Sequence, residues 1–351
     1  MFEKIKVKSL NYKTSELPNR RKEGFTLPAL TAGILNQGLN NFVPKENATI
    51  LRNMISISAN GANTGATFYQ NKEFTVLQDA YAIQWKKHKL LNDYQYLYFV
   101  SSISKVIFGN YEWTNKAGWE KIKNNKIKLP IKNNEIDFSF MENFIEELER
   151  AKIQKLDNYL EINNLKDYTL TQEEQKVLDD FEKKNFQWKE FNLKVLFGES
   201  TRGKRLKSAD RVQGNLPFVT AGETDEGISA FIGNKVNVFA KNTITIDMFG
   251  SAKYRNYEYG ADDHVSVVHT ENIEKSSSVF ITSAIHKASY TGEFHYGRNF
   301  YPKDADNLTI SLPTKNNQPD YALMQILISA IQKQVVKDVV LYAEKKLGKK
   351  I

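Results

Sequence analysis

The stretch Leu216–Gly227, LPFVTAGETDEG, occurs in this chain a second time in altered form: Leu27–Gly38 reads LPALTAGILNQG. The copies share Leu-Pro, Thr-Ala-Gly and a closing Gly in identical register, 189 positions apart. Working outward, the same offset sets Phe191 on Phe2, Asn242-Thr-Ile-Thr-Ile246 on Asn53-Met-Ile-Ser-Ile57, and Gly250 on Gly61. Past that glycine the offset drifts, as changed loop lengths require, and settles at 183, where Ile310-Ser-Leu-Pro313 falls on Ile127-Lys-Leu-Pro130. Met324, Ile328, Ile331, Val339 and Tyr342 then fall on Met141, Ile145, Leu148, Leu156 and Tyr159. Chance does not hold a register over whole domains; a tandem duplication does. Two long copies are not a solenoid.

Within the first copy, Asn53–Ser58 alternates apolar and small polar residues, which predicts a half-buried strand. Asn60-Gly-Ala-Asn-Thr-Gly65 predicts a tight turn with positive φ. Phe74–Ile83 reads as a further strand, Tyr94–Phe108 as a buried helix, and Ile127–Pro130 as a last short strand stopped by proline. From Met141, the positions Met141, Ile145, Leu148, Leu156 and Tyr159, widened by Phe144 and Leu160, follow a helical period with charges between. Asn163-Asn164 ends that helix. Thr171-Gln-Glu-Glu174 is a capping box opening a short helix to about Lys184, expected to be a solvated connector. The boundaries are therefore 1–140 for the first domain, 141–187 for a spacer helix and connector, 188–322 for the second domain, and 323–351 for a second spacer helix, whose stripe includes Val335. Antiparallel pairing of the two helices would place the domains at opposite ends of a spacer. About 24 helical residues reach roughly 36 Å, close to one turn of B-DNA.

Composition agrees with folded domains and narrows the chemistry. The 351 residues suggest two or three domains, and 41% apolar with 12% aromatic residues are ample for packed interiors. No apolar run is long enough to span a membrane, and the opening MFEKIKVKSLNYK has no apolar signal-peptide region. The absence of cysteine excludes disulfides, thiolate zinc sites and a cysteine nucleophile. A cytoplasmic protein is expected. The net charge of +8, with 49 Lys and Arg against 41 Asp and Glu, favours a polyanionic partner through counterion release.

Catalytic patterns are mostly missing. Gly198-Glu-Ser-Thr-Arg-Gly203-Lys204-Arg205 fits the phosphate-loop pattern except at its last position, where Arg205 replaces the hydroxyl residue that holds magnesium. Arg202, Lys204 and Arg205, with Lys207 and Arg211 nearby, serve better as phosphate contacts for DNA. Asp262-Asp263-His264 could bind a metal, but a polar loop entering a strand is the plainer reading. His264 and His269 fall on opposite strand faces, which spoils chelation, and His286 and His295 lack ligand-spaced partners. No nuclease acid cluster, methyl-donor loop or Gly-x-Ser-x-Gly elbow is present. No catalytic and no metal-binding residues are assigned.

What remains are turns rich in Gly, Asn, cations and aromatics: Tyr111–Lys116 in the first copy, and Lys253–Tyr257, Tyr290–Phe294 and Tyr296–Phe300 in the second. Arg, Lys and Asn can read base edges and phosphates, and ring edges can support them. The candidate DNA contacts are Arg20, Arg21, Asn60, Asn63 and Lys116 in the first copy. In the second they are Arg202, Lys204, Arg205, Lys253, Arg255, Lys287 and Arg298. Against this stands the plainer reading, in which the rings are core and the charges merely solvated.

In this order, and duplicated, the motifs resemble the specificity subunits of restriction-modification systems, both Type I and the BcgI-like Type IIB, across nearly the full length. The residues that carry the resemblance are Leu216-Pro217, Thr220-Ala-Gly222, Gly227, Thr243–Ile246, Phe249-Gly250, and Ile310–Pro313 ahead of the apolar helix, each echoed in the first copy. The resemblance implies two pseudo-symmetric α/β (α+β) target recognition domains, each reading one half of a bipartite duplex and performing no chemistry. It also implies two long helices in an antiparallel coiled coil that sets the spacing and docks modification subunits. Those partners bind S-adenosylmethionine and methylate adenine; magnesium and ATP also belong to partners, and the chain itself carries no cofactor. Helices this short, and the filled connector, lean toward the BcgI-like branch, in which methylation and cleavage share one partner polypeptide. Two other functions stay open: a duplicated protein-interaction scaffold, and a phosphate-ester enzyme using the Gly198–Arg205 loop. The repeated stretch itself reads as scaffold. Its mismatches, Glu223–Glu226 against Ile34–Gln37, are expected to carry recognition, together with the turns after Gly61 and Gly250.

Overall fold

A computed structural model describes residues 1–87 and 90–348; His88 lies outside them. The chain divides into two compact units, Met1–Leu156 and Asp157–Ile351.

The first unit runs β1 (Phe2–Lys4), β2 (Leu27–Leu30), β3 (Leu39–Val43), β4 (Met54–Ser58), β5 (Thr67–Gln70), β6 (Thr75–Val76), β7 (Ala80–Trp85), α1 (Asp93–Ile107), α2 (Trp119–Ile122), a hairpin of β8 (Ile131–Lys132) and β9 (Glu135–Ile136), then α3 (Phe138–Ile162), which runs past the unit boundary. Its larger sheet has the order β1-β7-β4-β5 and its smaller one β3-β2-β6. Asn92 caps α1 reciprocally with Gln95. Tyr96, Phe99, Ile103 and Ile107, at helical spacing, then pack on Ile55, Ile57, Ile83 and Trp85 of the sheet.

The second unit repeats this plan. It contains α4 (Gln172–Glu182), β10 (Trp188–Asn192), α5 (Leu193–Phe197), β11 (Thr201–Arg202), β12 (Gln213–Val219), β13 (Ile228–Ile232), β14 (Val238–Phe239), β15 (Thr243–Asp247), β16 (Ala252–Arg255), β17 (Tyr259–Ala261) and β18 (Val265–Val268). There follow α6 (Lys275–Ser289), α7 (Pro302–Asn307), β19 (Thr309–Lys315), β20 (Gln318–Pro319) and α8 (Tyr321–Lys346). The order β18-β15-β16 answers β7-β4-β5, and β13-β12-β17 answers β3-β2-β6, including one parallel pair in each small sheet. Helix α6 covers Ile244 and Ile246 as α1 covers Ile55 and Ile57. The duplication seen in the sequence is a duplication of topology.

Several expectations need correction. Strand β4 is buried on both faces: Ser56 and Ser58 are as inaccessible as Ile55 and Ile57, their hydroxyls donating to the carbonyls of Phe68 and Asn60. Small polar residues alternate there because their hydroxyls satisfy themselves locally, not because they meet water. Phe74–Ile83 is two strands, broken before Asp79, whose φ of 70° turns the chain. Ile127–Pro130 forms no strand; β8 begins after Pro130. Its counterpart Pro313 lies inside β19, opposite Trp188. Phe191 pairs with Ile310, whereas Phe2 pairs with Trp85, so this match in register is not a match in pairing.

The helical stripes are also redistributed. Met141 and Met324 belong to the cores of their respective units rather than to a spacer seam. Ile145 is buried and Leu156 half-buried, while Leu148 and Tyr159 are exposed; Ile153 and Leu160 are buried instead. On α8, Ile328 and Ile331 are half-buried and Val335, Val339 and Tyr342 exposed, while Leu327 and Ala330 are buried. The cause on α8 is the connector. Val177 and Leu178 of α4 pack on Leu327 and Ala330, so the connector is a docked element rather than a solvated one.

That docking is fixed by charge. Glu174 accepts from Ser329 at 2.6 Å and lies 3.0 Å from the Lys333 ammonium, which also reaches Asp167 at 3.0 Å. Burial alone would raise the Glu174 pKa; hydrogen bonds from Ser329, the Thr171 amide and Lys333 overcome it and hold the carboxyl at about 2. A folded-state pKa below the ordinary one contributes stability that is complete above about pH 4.5 and is lost as pH falls toward 2. Glu174→Gln is therefore expected to cost the second unit about 2 kcal/mol near pH 7 and little near pH 2, read as the difference in denaturant midpoint between the two conditions.

Candidate nucleic-acid interface

The repeated stretch builds the same strained loop twice. After Thr-Ala-Gly the chain enters a tight turn in which Asn36 and Gln37 have φ of 47° and 56°, and Asp225 and Glu226 have 48° and 55°. Left-handed backbone at a non-glycine residue costs about 1 kcal/mol or more, so each loop stores strain at two adjacent positions. The loop is closed by Thr31 N–H donating to Gly38 O at 2.9 Å and by Thr220 N–H donating to Gly227 O at 2.8 Å. The closing glycine is obligatory: φ there is 84° and 81°, and a Cβ would meet the carbonyl of Thr31 at 2.9 Å or of Thr220 at 2.6 Å. All four intervening side chains are exposed in both copies, Leu35 at 81%. The shared letters make the scaffold, and the differing letters face solvent.

In the second unit this loop is held from behind. The buried carboxylate of Asp247, at the end of β15, accepts from the amides of Phe249 and Ser251 and, at 3.2 Å, from Gly222 N–H. Lys253 donates to Ser251 Oγ at 2.8 Å and to Glu223 at 3.2 Å. The Ser251 hydroxyl and the Lys253 ammonium hold Glu223 below the usual carboxylate range. Asp247 was not singled out in the sequence. Its signal is a carboxylate closing an apolar strand, where the first copy has Ser58.

Arg255 is corrected outright. It is only 1% exposed and donates to Thr245 Oγ1, Tyr257 Oη and the Glu226 carbonyl, at 2.8 to 2.9 Å. It is the post on which the Glu226 corner rests. Lys253, at 13% side-chain exposure, and Arg298, paired with Glu293, are likewise engaged with carboxylates of their own unit. Asn60 donates to Asp79 at 2.9 Å, and the carbonyl of Asn63 accepts from Ala66 N–H, so both help build the turn after β4. Arg255→Ala is expected to destabilise the second unit by about 2–4 kcal/mol, because three partners lose their donor. Thermal melts check this, with Arg202→Ala as the unaffected control.

The remaining candidates face solvent: Arg20 and Arg21, the latter over the Phe42 ring, Lys116, Arg202, Lys204, Arg205 and Lys287. Arg202 lies on β11, and the chain continues extended through Gly203, whose Cβ would fall 1.9 Å from the Ala261 carbonyl. The phosphate-loop resemblance thus dissolves: no helix begins at Lys204, and the second glycine serves close packing. Asp262, Asp263 and His264 do bring their ligand atoms within 4.8 Å of one another, but Asp262 is occupied by the Leu206 amide and His264 lies 3.3 Å from Asp263.

Two domains of one topology, each presenting an exposed loop on a common scaffold, agree with what this chain is similar to. The family model described as the type I restriction modification DNA specificity domain matches residues 1–158 and again 185–346. The chain belongs to this family. It is a specificity subunit of a restriction-modification system, built from two repeated domains, and does not itself catalyse. The type II restriction enzyme BcgI specificity subunit of Heyndrickxia coagulans is 25% identical over 251 residues, 70% of this chain and 69% of that protein. The crystal structure of the type I restriction-modification S subunit from M. genitalium shares the fold, with a TM-score of 0.58 at 17% identity, over 99% of this chain and 90% of that one. Among the described residues no helix is long and apolar enough to cross a membrane.

Proposed function

We propose that each unit of this specificity subunit reads one half of a bipartite duplex target, and that the chain positions modification subunits on it. The observation that supports this reading is the pairing of an identical loop backbone with unlike exposed side chains, Ile34–Gln37 in one unit and Glu223–Glu226 in the other. One scaffold with two faces suits two different half-sites. Asn and Gln can pair with adenine, and Asp and Glu can accept from cytosine. The exposed cations Arg20, Arg21, Lys116, Arg202, Lys204, Arg205 and Lys287 supply phosphate contacts that set register without reading sequence.

The matching apolar positions that their own units leave exposed, Leu148 and Tyr159 on α3 and Val339 and Tyr342 on α8, support antiparallel pairing of α3 and α8 as a coiled coil. Their 25 and 26 residues correspond to about 38 Å, the separation of half-sites one helical turn apart. The partners bind S-adenosylmethionine, with magnesium and any ATP also theirs, and the complex works in the cytoplasm. The likeness to the BcgI specificity subunit favours a partner that carries methylation and cleavage on one polypeptide. The test is a graft. Replacing residues 1–140 by the matching domain of another family member is expected to change one half-site of the protected sequence and leave the other intact. If chain plus partner protected the same DNA as partner alone, the reading fails.

A further inference from the structure

Beyond the repeated loop, the two units share a second exposed feature. After α1 the chain makes a two-residue turn around Trp113-Thr114, closed by reciprocal bonds between Glu112 and Asn115, both 3.1 Å. After α6 it makes the same turn around Tyr296-Gly297, closed by His295 and Arg298 at 3.0 and 2.9 Å. These positions correspond at the offset of 183 that also relates the last strand and helix of the copies. Each turn is tied at its base to the loop after the central strand, by unlike acceptors. Buried Ala117 donates its amide to Thr64 Oγ1 at 3.0 Å, and buried Phe300 donates its amide to Met248 O at 2.9 Å. Thr64 and Met248 lie in the loops that follow β4 and β15.

At each tip stands a large ring left mostly to solvent: Trp113 is 67% exposed and Tyr296 85%. A single exposed aromatic signifies nothing. Two of them, at matching positions on two-residue turns that each close on themselves, do. Lys116 lies over the Trp113 ring at 5.6 Å; Arg298 closes the second turn but is paired with Glu293 and lies over Phe294, so the Tyr296 ring has no cation of its own. Phe249 props Tyr296 in an edge-on contact, 5.3 Å between centroids. What the two tips share is a planar, largely exposed ring on a closed turn, the shape that can slide against the face of a base.

We propose that Trp113 and Tyr296 are paired wedges, one per unit, each inserting beside a base step of the half-site its unit reads. This rests on the DNA-reading function proposed above. Apolar wedges of this kind unstack a step and bend the duplex, and base–aromatic stacking is worth enough to see in binding.

The test uses the full-length chain and duplexes selected by it from a randomised pool. Trp113→Ala and Tyr296→Ala are each expected to weaken binding about tenfold to a hundredfold with the melting temperature and salt slope unchanged, since both side chains are exposed and uncharged. Trp113→Phe and Tyr296→Phe should retain most of the affinity. A 2-aminopurine walked through the duplex should brighten at one step in each half-site, and each alanine variant should silence its own step alone. Alanine variants that bind and brighten like the parent overturn the proposal, as does a fall in melting temperature equal to the loss in binding. Loss of a modification partner with DNA affinity intact would place a protein on these tips instead and also overturns it. A parent chain that selects no duplex at all overturns the DNA-reading function together with this inference.

Discussion

Replacing Arg202, Lys204 and Arg205 together by alanine is expected to lower the slope of log affinity against log salt by about 2.7, about 0.9 for each phosphate contact removed. The parent's advantage over the variant should then shrink by about fortyfold between about 50 and about 200 mM salt. Arg202 and Lys204 lie two residues apart on extended chain, about 6.6 Å, near the rise over two phosphates of one DNA strand, about 6.8 Å. All three side chains are exposed and make no ion pair among the described residues. The loss should be uniform across sequences, leaving the selected target unchanged. Titrating matched specific and random duplexes at several salt concentrations measures both quantities. A change in target preference instead of salt slope would show that these residues read bases.

Gly203→Ala is expected to destabilise the second unit by about 3 kcal/mol or more. The new methyl would lie 1.9 Å from the Ala261 carbonyl oxygen and 2.4 Å from that of Asp262, both backbone atoms that cannot swing aside. The same corner carries Gly203 N–H to Val265 O and Lys204 N–H to Ala261 O, so relieving the clash sacrifices hydrogen bonds. Gly198→Ala offers the contrast. Its surroundings are open and only its φ of 78° resists a side chain, at about 1 kcal/mol. A phosphate-cradling loop would tie both glycines to ligand binding; here thermal melts without any ligand should separate them. Equal, small effects on both would remove close packing as the reason for Gly203.

Much of the fold was legible because a duplication carries its own control. Where two copies agree, the shared residues answer to shared backbone: Gly38 and Gly227 close identical left-handed turns, and Ile55 with Ile57 meets α1 as Ile244 with Ile246 meets α6. Helix α1 was readable from its apolar length, and the Thr171 capping box from its spacing. The candidate site was legible only in part. Charge and exposure cannot be told apart in a sequence, so Lys253, Arg255 and Arg298 resembled Arg202 and Lys204. Only the fold shows that Lys253 and Arg255 are enclosed and answer Glu223 and Glu226, that exposed Arg298 is paired with Glu293, and that Arg202 and Lys204 face solvent without an ion pair among the described residues. Both turn tips read as aromatic in the sequence, yet their equivalence emerges only once each is seen on a two-residue turn closed by reciprocal backbone bonds.

The sequence by itself determined that the chain is two copies of one domain, each followed by a long helix, and that the copies differ in their loops. These are properties of order and register, which covalent chemistry preserves. Tertiary structure decided which arginine is a post and which faces solvent, which helix face α4 takes, and that two rings far apart in the sequence stand at equivalent tips of their own units. Periodicity names a buried face only when one partner competes for it, and a buried charge is tolerated only where folding brings its counter-charge or hydrogen-bond acceptors alongside.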